Sequence, residues 1–179
     1  DAASFAGNAI TMLFSLGVIL CIVTRLFLKP MMILFGATSS VLNYSLTYTG
    51  ITSLGFPFLI LTTGGTNLVR ADGSPKFSMA CTLTGAIINT ILDPTLIFGF
   101  HMGISGAAIA TVISQILSCI FAMTFLLGKK VPVKITFGQY NLKVIRKILS
   151  LGFSPFLILA TDSLILIFMN TVLQKYGGA

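Results

Sequence analysis

The chain has 179 residues, of which 55% are hydrophobic and only 8% charged, and its mean hydropathy is +1.01. This composition excludes a soluble enzyme and predicts an integral membrane protein whose surrounding partner is the lipid bilayer. The formal net charge is +7. Its basic residues are spread along predicted membrane edges without base-stacking aromatic residues between them, so we expect no nucleic-acid partner.

Five apolar runs longer than about 18 residues predict five membrane-spanning α-helices. We expect them at residues 7–28, 44–69, 77–99, 104–127 and 148–173. Pro30 is expected to end the first span, followed by an apolar connection over 31–43. Pro57, near the middle of the second span, is expected to loosen it together with Gly64 and Gly65.

The connections between the later spans are short or basic. A polar turn is expected at residues 70–76, and the loop over 100–103 is long enough only to join antiparallel neighbours. Residues 128–147 form a basic linker whose second half has the pattern of an amphipathic surface helix leading into the fifth span.

Basic residues predict the orientation, because lysine and arginine stay preferentially on the cytoplasmic side. The turn after span two and the linker after span four carry eight of the 11 lysines and arginines, and the opposite side carries three. The side with eight is therefore expected to be cytoplasmic. The amino end is then inside and the loop over 100–103 outside.

Two features predict that the chain is a piece of a longer protein. It begins at Asp1 rather than Met, and it stops shortly after the fifth span. The missing helices of the full-length chain are then expected to be its partners. Cys21, Cys81 and Cys119 lie inside apolar runs without a CxxC motif, so we interpret them as small core residues and expect no cofactor.

Polar side chains meet in one layer of the outer half of the membrane. Asp93 and Thr111 lie roughly 9 and 10 Å from the outer ends of their spans, at about 1.5 Å per residue. Asn89 and Gln115 stack one turn deeper, and Tyr48 enters span two at a similar level. A buried carboxylate costs at least about 3 kcal/mol and usually marks a pathway or relay, whereas the neutral groups also suit interhelical hydrogen bonding. Oxygen ligands without thiolate favour Na⁺ or H⁺ over a transition metal.

The motifs NLVRADGSPKFSM, NTILDPTLIFG and MGISGAAIATVISQ resemble the multidrug and toxic compound extrusion (MATE) family, in its DNA-damage-inducible-F-like branch of bacterial and archaeal efflux proteins. The run LGFSPF with the closing NTVLQKYGG is similar to the start of that family's second half. The resemblance implies an all-α fold of twelve helices in two lobes. Residues 1–127 then correspond to helices three to six of the amino-terminal lobe, 128–147 to the cytoplasmic inter-lobe linker, and 148–179 to helix seven.

The resemblance also implies export of amphipathic, often cationic compounds by Na⁺ or H⁺ antiport. Its cation-site positions correspond here to Asp93, Asn89 and Thr111. Its cavity positions correspond to Tyr48 and Asn67, with Gln115 expected beside them. Asp162 lies close to an acidic position that some members carry on helix seven, one residue out of register with Pro155. The acidic residue of the family's helix one has no counterpart in this chain.

Three alternatives differ in what they require. A flippase for a lipid-linked saccharide or peptidoglycan precursor shares the broader fold, and is expected to line its cavity with several basic residues that these spans lack. A membrane scaffold gives no reason for the layer around Asp93. A primary ATP-driven pump needs a phosphate-binding motif such as GxxxxGK[ST], and the sequence contains none.

Overall fold

The computed structural model describes residues 2–128 and 141–176, and all regular structure in these ranges is helical. The α-helices are α1 (Ala2–Leu26), α2 (Leu28–Leu34), α3 (Leu42–Thr52), α4 (Phe56–Ala71), α5 (Pro75–Pro94), α6 (Gly103–Leu126) and α7 (Leu142–Tyr176). The segments long and apolar enough to cross a membrane are Ser4–Leu26, Leu42–Ala71, Pro75–Gly99, Gly103–Leu126 and Leu142–Leu173. The predicted all-α polytopic architecture with five spans is confirmed.

The distribution of side chains is that of a protein surrounded by lipid. Large apolar side chains are exposed along the spans, among them Phe98 and Phe168. Several buried positions instead carry small or hydroxyl-bearing residues, such as Ser53, Ser78 and Ala108. Lipid chains are as apolar as leucine, so the helices associate through close packing and hydrogen bonds between small residues.

The first span ends earlier than the sequence predicted. α1 stops at Leu26, and the chain turns at Phe27 rather than at Pro30. Pro30 instead lies in the first turn of α2, where the missing N–H of proline is tolerated because no intrahelical acceptor is available to it. The expected connection is therefore partly helical. α2 ends where Gly36 adopts a φ of 90°, and its backbone N–H donates to the carbonyl of Ile33 at 3.1 Å.

The second span is interrupted before Pro57. α3 passes into a single 3₁₀ turn, Ser53–Gly55, and α4 then begins at Phe56. Pro57 is thus the second residue of a new helix rather than a break within one. The backbone of Pro57 lies against Gly17 of α1, and Leu13 of α1 lies against Gly64. These glycines let α1 and α4 approach closely next to the interruption.

The third span ends in a widened turn. After Pro94 the chain forms a π-helical turn, Thr95–Gly99, in which the Phe100 N–H donates to the Thr95 carbonyl at 3.1 Å. A proline without an N–H weakens the regular pattern at this point, as expected from the sequence. At the opposite end of the α5–α6 pair, the rings of Phe77 and Phe125 stack with centroids 3.8 Å apart.

The fifth span is one continuous helix from Leu142, so residues 142–147, which belong to the predicted amphipathic second half of the linker, join it without a break. Residues 129–140 of the predicted linker lie outside the described residues. α7 packs against α1, and Asn170 lies beside Gly36. None of its described side chains is buried. The predicted division of the chain into a partial amino-terminal lobe, a linker and helix seven, with boundaries at residues 127 and 147, stays a prediction.

Candidate functional site

A cavity of about 460 Å³ lies between α4, α5 and α6, within the size range of small-molecule sites. It is walled mainly by hydroxyl, amide and small side chains. Its lining residues are Leu59, Thr62, Thr63, Thr66, Asn67, Arg70, Thr82, Gly85, Ala86, Asn89, Thr111, Ser114, Gln115 and Ser118. On α4 they extend from Leu59 to Arg70, which corresponds to roughly 16 Å of helix. The cavity is therefore long and follows the helix axes.

The predicted stacking of Asn89 and Asp93 is observed. The Asn89 Nδ2 donates a hydrogen bond to Asp93 Oδ1 at 3.3 Å, one turn along α5. Both side chains are half-buried. Asn89 lines the cavity. Asp93 is not among the lining residues, but its carboxylate is hydrogen-bonded to the Asn89 amide at the cavity wall. The carboxylate thus stands at the edge of the cavity, near the carboxyl end of α5.

Thr111 and Tyr48 also meet, as their predicted depths implied. The Tyr48 hydroxyl and the Thr111 Oγ1 are 3.5 Å apart, a long contact between α3 and α6. The Thr111 hydroxyl already donates to the Ala107 carbonyl at 2.9 Å. Tyr48 is therefore the donor in this contact, and Thr111 presents oxygen lone pairs at the cavity wall.

Apart from Thr111, the threonines and serines of the cavity wall were not predicted as site residues. Thr62 donates to the Phe58 carbonyl at 2.8 Å and Thr63 to the Leu59 carbonyl at 2.9 Å. Ser118 donates across the helix interface to the Cys81 carbonyl at 3.3 Å. Because these hydroxyl protons are engaged, each of these three hydroxyl groups is left as an acceptor oxygen. The i and i+4 spacing of Thr62 with Thr66, and of Ser114 with Ser118, is the sequence signal that could have indicated them.

Arg70 was assigned to the polar turn, and the structure corrects this assignment. It lies in the last turn of α4 and lines the cavity. Its Nη2 donates to Ser78 Oγ of α5 at 3.5 Å. The turn itself begins after Ala71, because Gly73 takes a φ of 85° and ends α4 there.

Gln115 lines the cavity where the second span is interrupted. Its Oε1 is buried without a hydrogen-bond partner among the described residues. A Cβ added to Gly55 would collide with this oxygen. The carboxamide is therefore packed onto the 3₁₀ turn, and only a glycine leaves room for it.

The structure brings together part of the predicted set. Asn89, Thr111, Gln115 and Asn67 line one cavity, and Asp93 and Tyr48 contact two of these residues. Asp162 is exposed on α7 and is not among the residues that line this cavity. The functional roles of all seven residues stay predictions. Of the cysteines interpreted as core residues, Cys81 and Cys119 are buried and Cys21 is half-buried.

The fold and the cavity define a polytopic α-helical membrane protein with a cavity between its spans, as in membrane transporters. The MatE family model matches residues 1–95, which is 95 of 179 residues, and the chain belongs to this family. Multidrug export protein MepA of Staphylococcus aureus is 31% identical over 166 residues, covering 92% of this chain and 37% of MepA. The MepA of Staphylococcus saprophyticus is 29% identical over 165 residues, covering 91% and 37%. The chain thus spans less than two fifths of these relatives.

Solved structures support the same fold. The inward-facing conformation of a multidrug resistance MATE family transporter of the MOP superfamily matches with a TM-score of 0.88 at 24% identity, covering 97% of this chain and 40% of that one. An outward-facing conformation matches with a TM-score of 0.85 at 24% identity, covering 99% and 40%. The five spans therefore have the arrangement of part of a MATE transporter, as the sequence motifs implied.

Proposed function

We propose that this chain is part of a secondary active transporter, which exports amphipathic and often cationic drugs or toxic compounds by antiport with Na⁺ or H⁺. Membership of the MatE family and the similarity to multidrug export proteins support this proposal. The observation that carries it is the Asn89–Asp93 hydrogen bond at the edge of a cavity between three spans. A carboxylate held there by an amide is the arrangement expected of a coupling site rather than of plain packing.

Asp93, Asn89 and Thr111 form the coupling site in this proposal. A proton would neutralise Asp93 directly. Na⁺ would bind the carboxylate together with the neutral oxygens of Asn89 and Thr111, and such hard oxygen donors suit this ion. Thr111 fits this role because its hydroxyl proton is already donated to the Ala107 carbonyl, so its oxygen acts as an acceptor that a cation can share with the long contact from Tyr48. Either form of neutralisation changes the charge at the outer edge of the cavity.

Tyr48, Gln115 and Asn67 face the exported compound in this proposal. The cavity volume of about 460 Å³ suits a drug-sized molecule. Asp162 contributes a second acid from α7 once the remaining helices of the full-length chain pack against it. The 3₁₀ turn before Pro57 and the π-helical turn after Pro94 are the positions where α3–α4 and α5 bend during alternating access. A neutralised coupling site favours a different arrangement of these helices.

The proposed location is the cytoplasmic membrane of a bacterium or archaeon, with residues 128–147 on the cytoplasmic side. The bias of basic residues supports the orientation, and the Staphylococcus relatives support a bacterial membrane. A precursor flippase is the rival function. The only charged side chain among the described cavity residues is Arg70, and one arginine is few for a pyrophosphate group.

The test uses the full-length protein in liposomes. Efflux of a fluorescent organic cation is measured with a Na⁺ gradient and, separately, with a proton gradient, for the native protein and for Asp93→Asn. We expect the variant to fall to the passive leak rate with the gradient that drives the native protein. Asp72→Asn removes a loop carboxylate and serves as the matched charge control. Unchanged efflux in Asp93→Asn contradicts the coupling role, and absence of native efflux with either gradient favours the flippase.

A further inference from the structure

α7 is longer than the hydrocarbon layer that it crosses. Its 35 residues extend over roughly 52 Å at about 1.5 Å per residue. The hydrocarbon core of a bilayer is about 30 Å thick, and the bilayer with its head groups is about 40–45 Å thick. Lys147 and Lys175, which flank the apolar part of the helix, are roughly 42 Å apart along it. When α7 spans the membrane, each of these two lysines therefore lies at the level of the lipid head groups.

The amino end of α7 presents its positive charges on one face. Lys143, Arg146 and Lys147 are spaced i, i+3 and i+4, which places them on the same side of a helix. All three side chains are exposed. The apolar residues at 144–145 and Ile148 lie on the opposite side and are half-buried. The first two turns of α7 therefore have a basic face and an apolar face. We call Lys143, Arg146 and Lys147 the basic triad.

The described part of the chain does not neutralise the basic triad. The three side chains form no ion pair or hydrogen bond with a described residue, and the Lys143 backbone N–H donates to Asn141 Oδ1 at 3.0 Å. The acidic residue of α7 is Asp162, which lies roughly 22 Å beyond Lys147 along the helix. Three exposed cations at head-group level are complementary in charge to the phosphates of anionic lipids.

We infer that the basic triad is a binding site for the phosphate of an anionic phospholipid, in the head-group layer that the bias of basic residues assigns to the cytoplasmic side. The guanidinium of Arg146 matches two phosphate oxygens at once, and Lys143 and Lys147 supply further positive charge. Ser150 is exposed one turn further along the same face and adds a hydroxyl donor. The acyl chains of the lipid then lie along exposed apolar side chains such as Phe153. This inference concerns α7 alone and does not depend on the proposed export function.

The experiment measures lipid binding to the purified full-length protein in detergent by native mass spectrometry. The probe is phosphatidylglycerol, and phosphatidylcholine with the same acyl chains is the lipid without net charge. Each basic residue close to an anionic head group strengthens binding roughly fivefold. We therefore expect the triple variant with Lys143→Gln, Arg146→Gln and Lys147→Gln to raise the Kd of the first bound phosphatidylglycerol roughly tenfold or more. The Kd of phosphatidylcholine should not change.

A second triple variant is the matched control. Arg25, Lys76 and Lys175 are exposed and lie on three different helices. Arg25→Gln, Lys76→Gln and Lys175→Gln together remove the same charge as the first variant, and are expected to leave the Kd of phosphatidylglycerol close to its native value. The single change Arg146→Gln tests the same site if the first triple variant does not fold, and it is expected to raise this Kd roughly fivefold.

Three results would overturn the site. Equal weakening in the two triple variants assigns phosphatidylglycerol binding to the total charge of the protein. An unchanged Kd in the variant of the basic triad, or equal native affinity for the two lipids, shows that the triad does not select an anionic lipid. Glycerol 3-phosphate carries the head-group phosphate without acyl chains, and native binding of it as tight as that of phosphatidylglycerol assigns the triad to a soluble anion.

Discussion

Gly17→Ala tests the crossing of α1 over the interruption of the second span. A Cβ added to Gly17 would stand 2.5 Å from the Cα of Pro57, 3.1 Å from its nitrogen and 3.3 Å from the Phe56 carbonyl oxygen. All three atoms belong to the backbone, so no side-chain rotation can relieve the contact. The substitution therefore has to push α1 away from the start of α4.

The size of the effect follows from these distances. Carbon atoms in contact prefer a separation of roughly 3.5–4.0 Å, so the helices must part by about 1 Å. Forcing an extra methyl group into a well-packed interface costs roughly 1–3 kcal/mol. For a chain of this size, each kcal/mol lowers Tm by roughly 2–4 °C. We therefore expect Gly17→Ala to lower Tm by at least about 2 °C.

The buried cysteines provide the assay. Cys81 and Cys119 have exposed fractions of 0% and 6%, so a thiol-reactive fluorophore reports their exposure as the detergent-solubilised protein is heated. Gly152→Ala is the matched control, because a Cβ there meets nothing within 4 Å, and it should keep or slightly raise Tm. A Gly17→Ala variant with the native Tm contradicts the close packing of α1 on the start of α4. So does a Gly152→Ala variant whose Tm falls as far as that of Gly17→Ala.

Two further glycine substitutions test the cavity wall and the turn between α4 and α5. Gly55→Ala should lower Tm because its Cβ collides with the Gln115 carboxamide. Adding Gln115→Ala to the same protein should restore at least half of the lost Tm, which a double-mutant cycle measures. A loss of Tm that Gln115→Ala does not change contradicts the contact. Gly73→Ala should lower the free energy of unfolding by about 1 kcal/mol because Gly73 has a φ of 85°. Gly73→Asn should lower it less, since asparagine tolerates this conformation. Equal losses for the two variants in thermal melting would contradict the left-handed conformation of residue 73.

The polar group around Asp93 was predictable, because its members are placed by their spacing along single helices and by their depth in the membrane. Asn89 and Asp93 are four residues apart on α5, so any regular helix places them together, as observed at 3.3 Å. Tyr48 and Thr111 are 63 residues apart in sequence, yet their meeting followed from equal depths in the second and fourth spans, which cross the membrane in the same direction. Whether these residues couple transport to an ion is a prediction that the efflux experiment tests.

The sequence by itself determined that five spans cross the membrane, because hydrocarbon thickness sets a helix length that apolar runs reveal. The tertiary structure alone decided which faces of these helices meet. In lipid the hydrophobic effect does not distinguish a core face from an outer face, so the close contact of Gly17 with Pro57 and the contact of Arg70 with Ser78 depend on packing between separate helices. For the same reason the interruption at Ser53–Gly55, and the hydroxyl wall that it borders, could be located only in the folded chain.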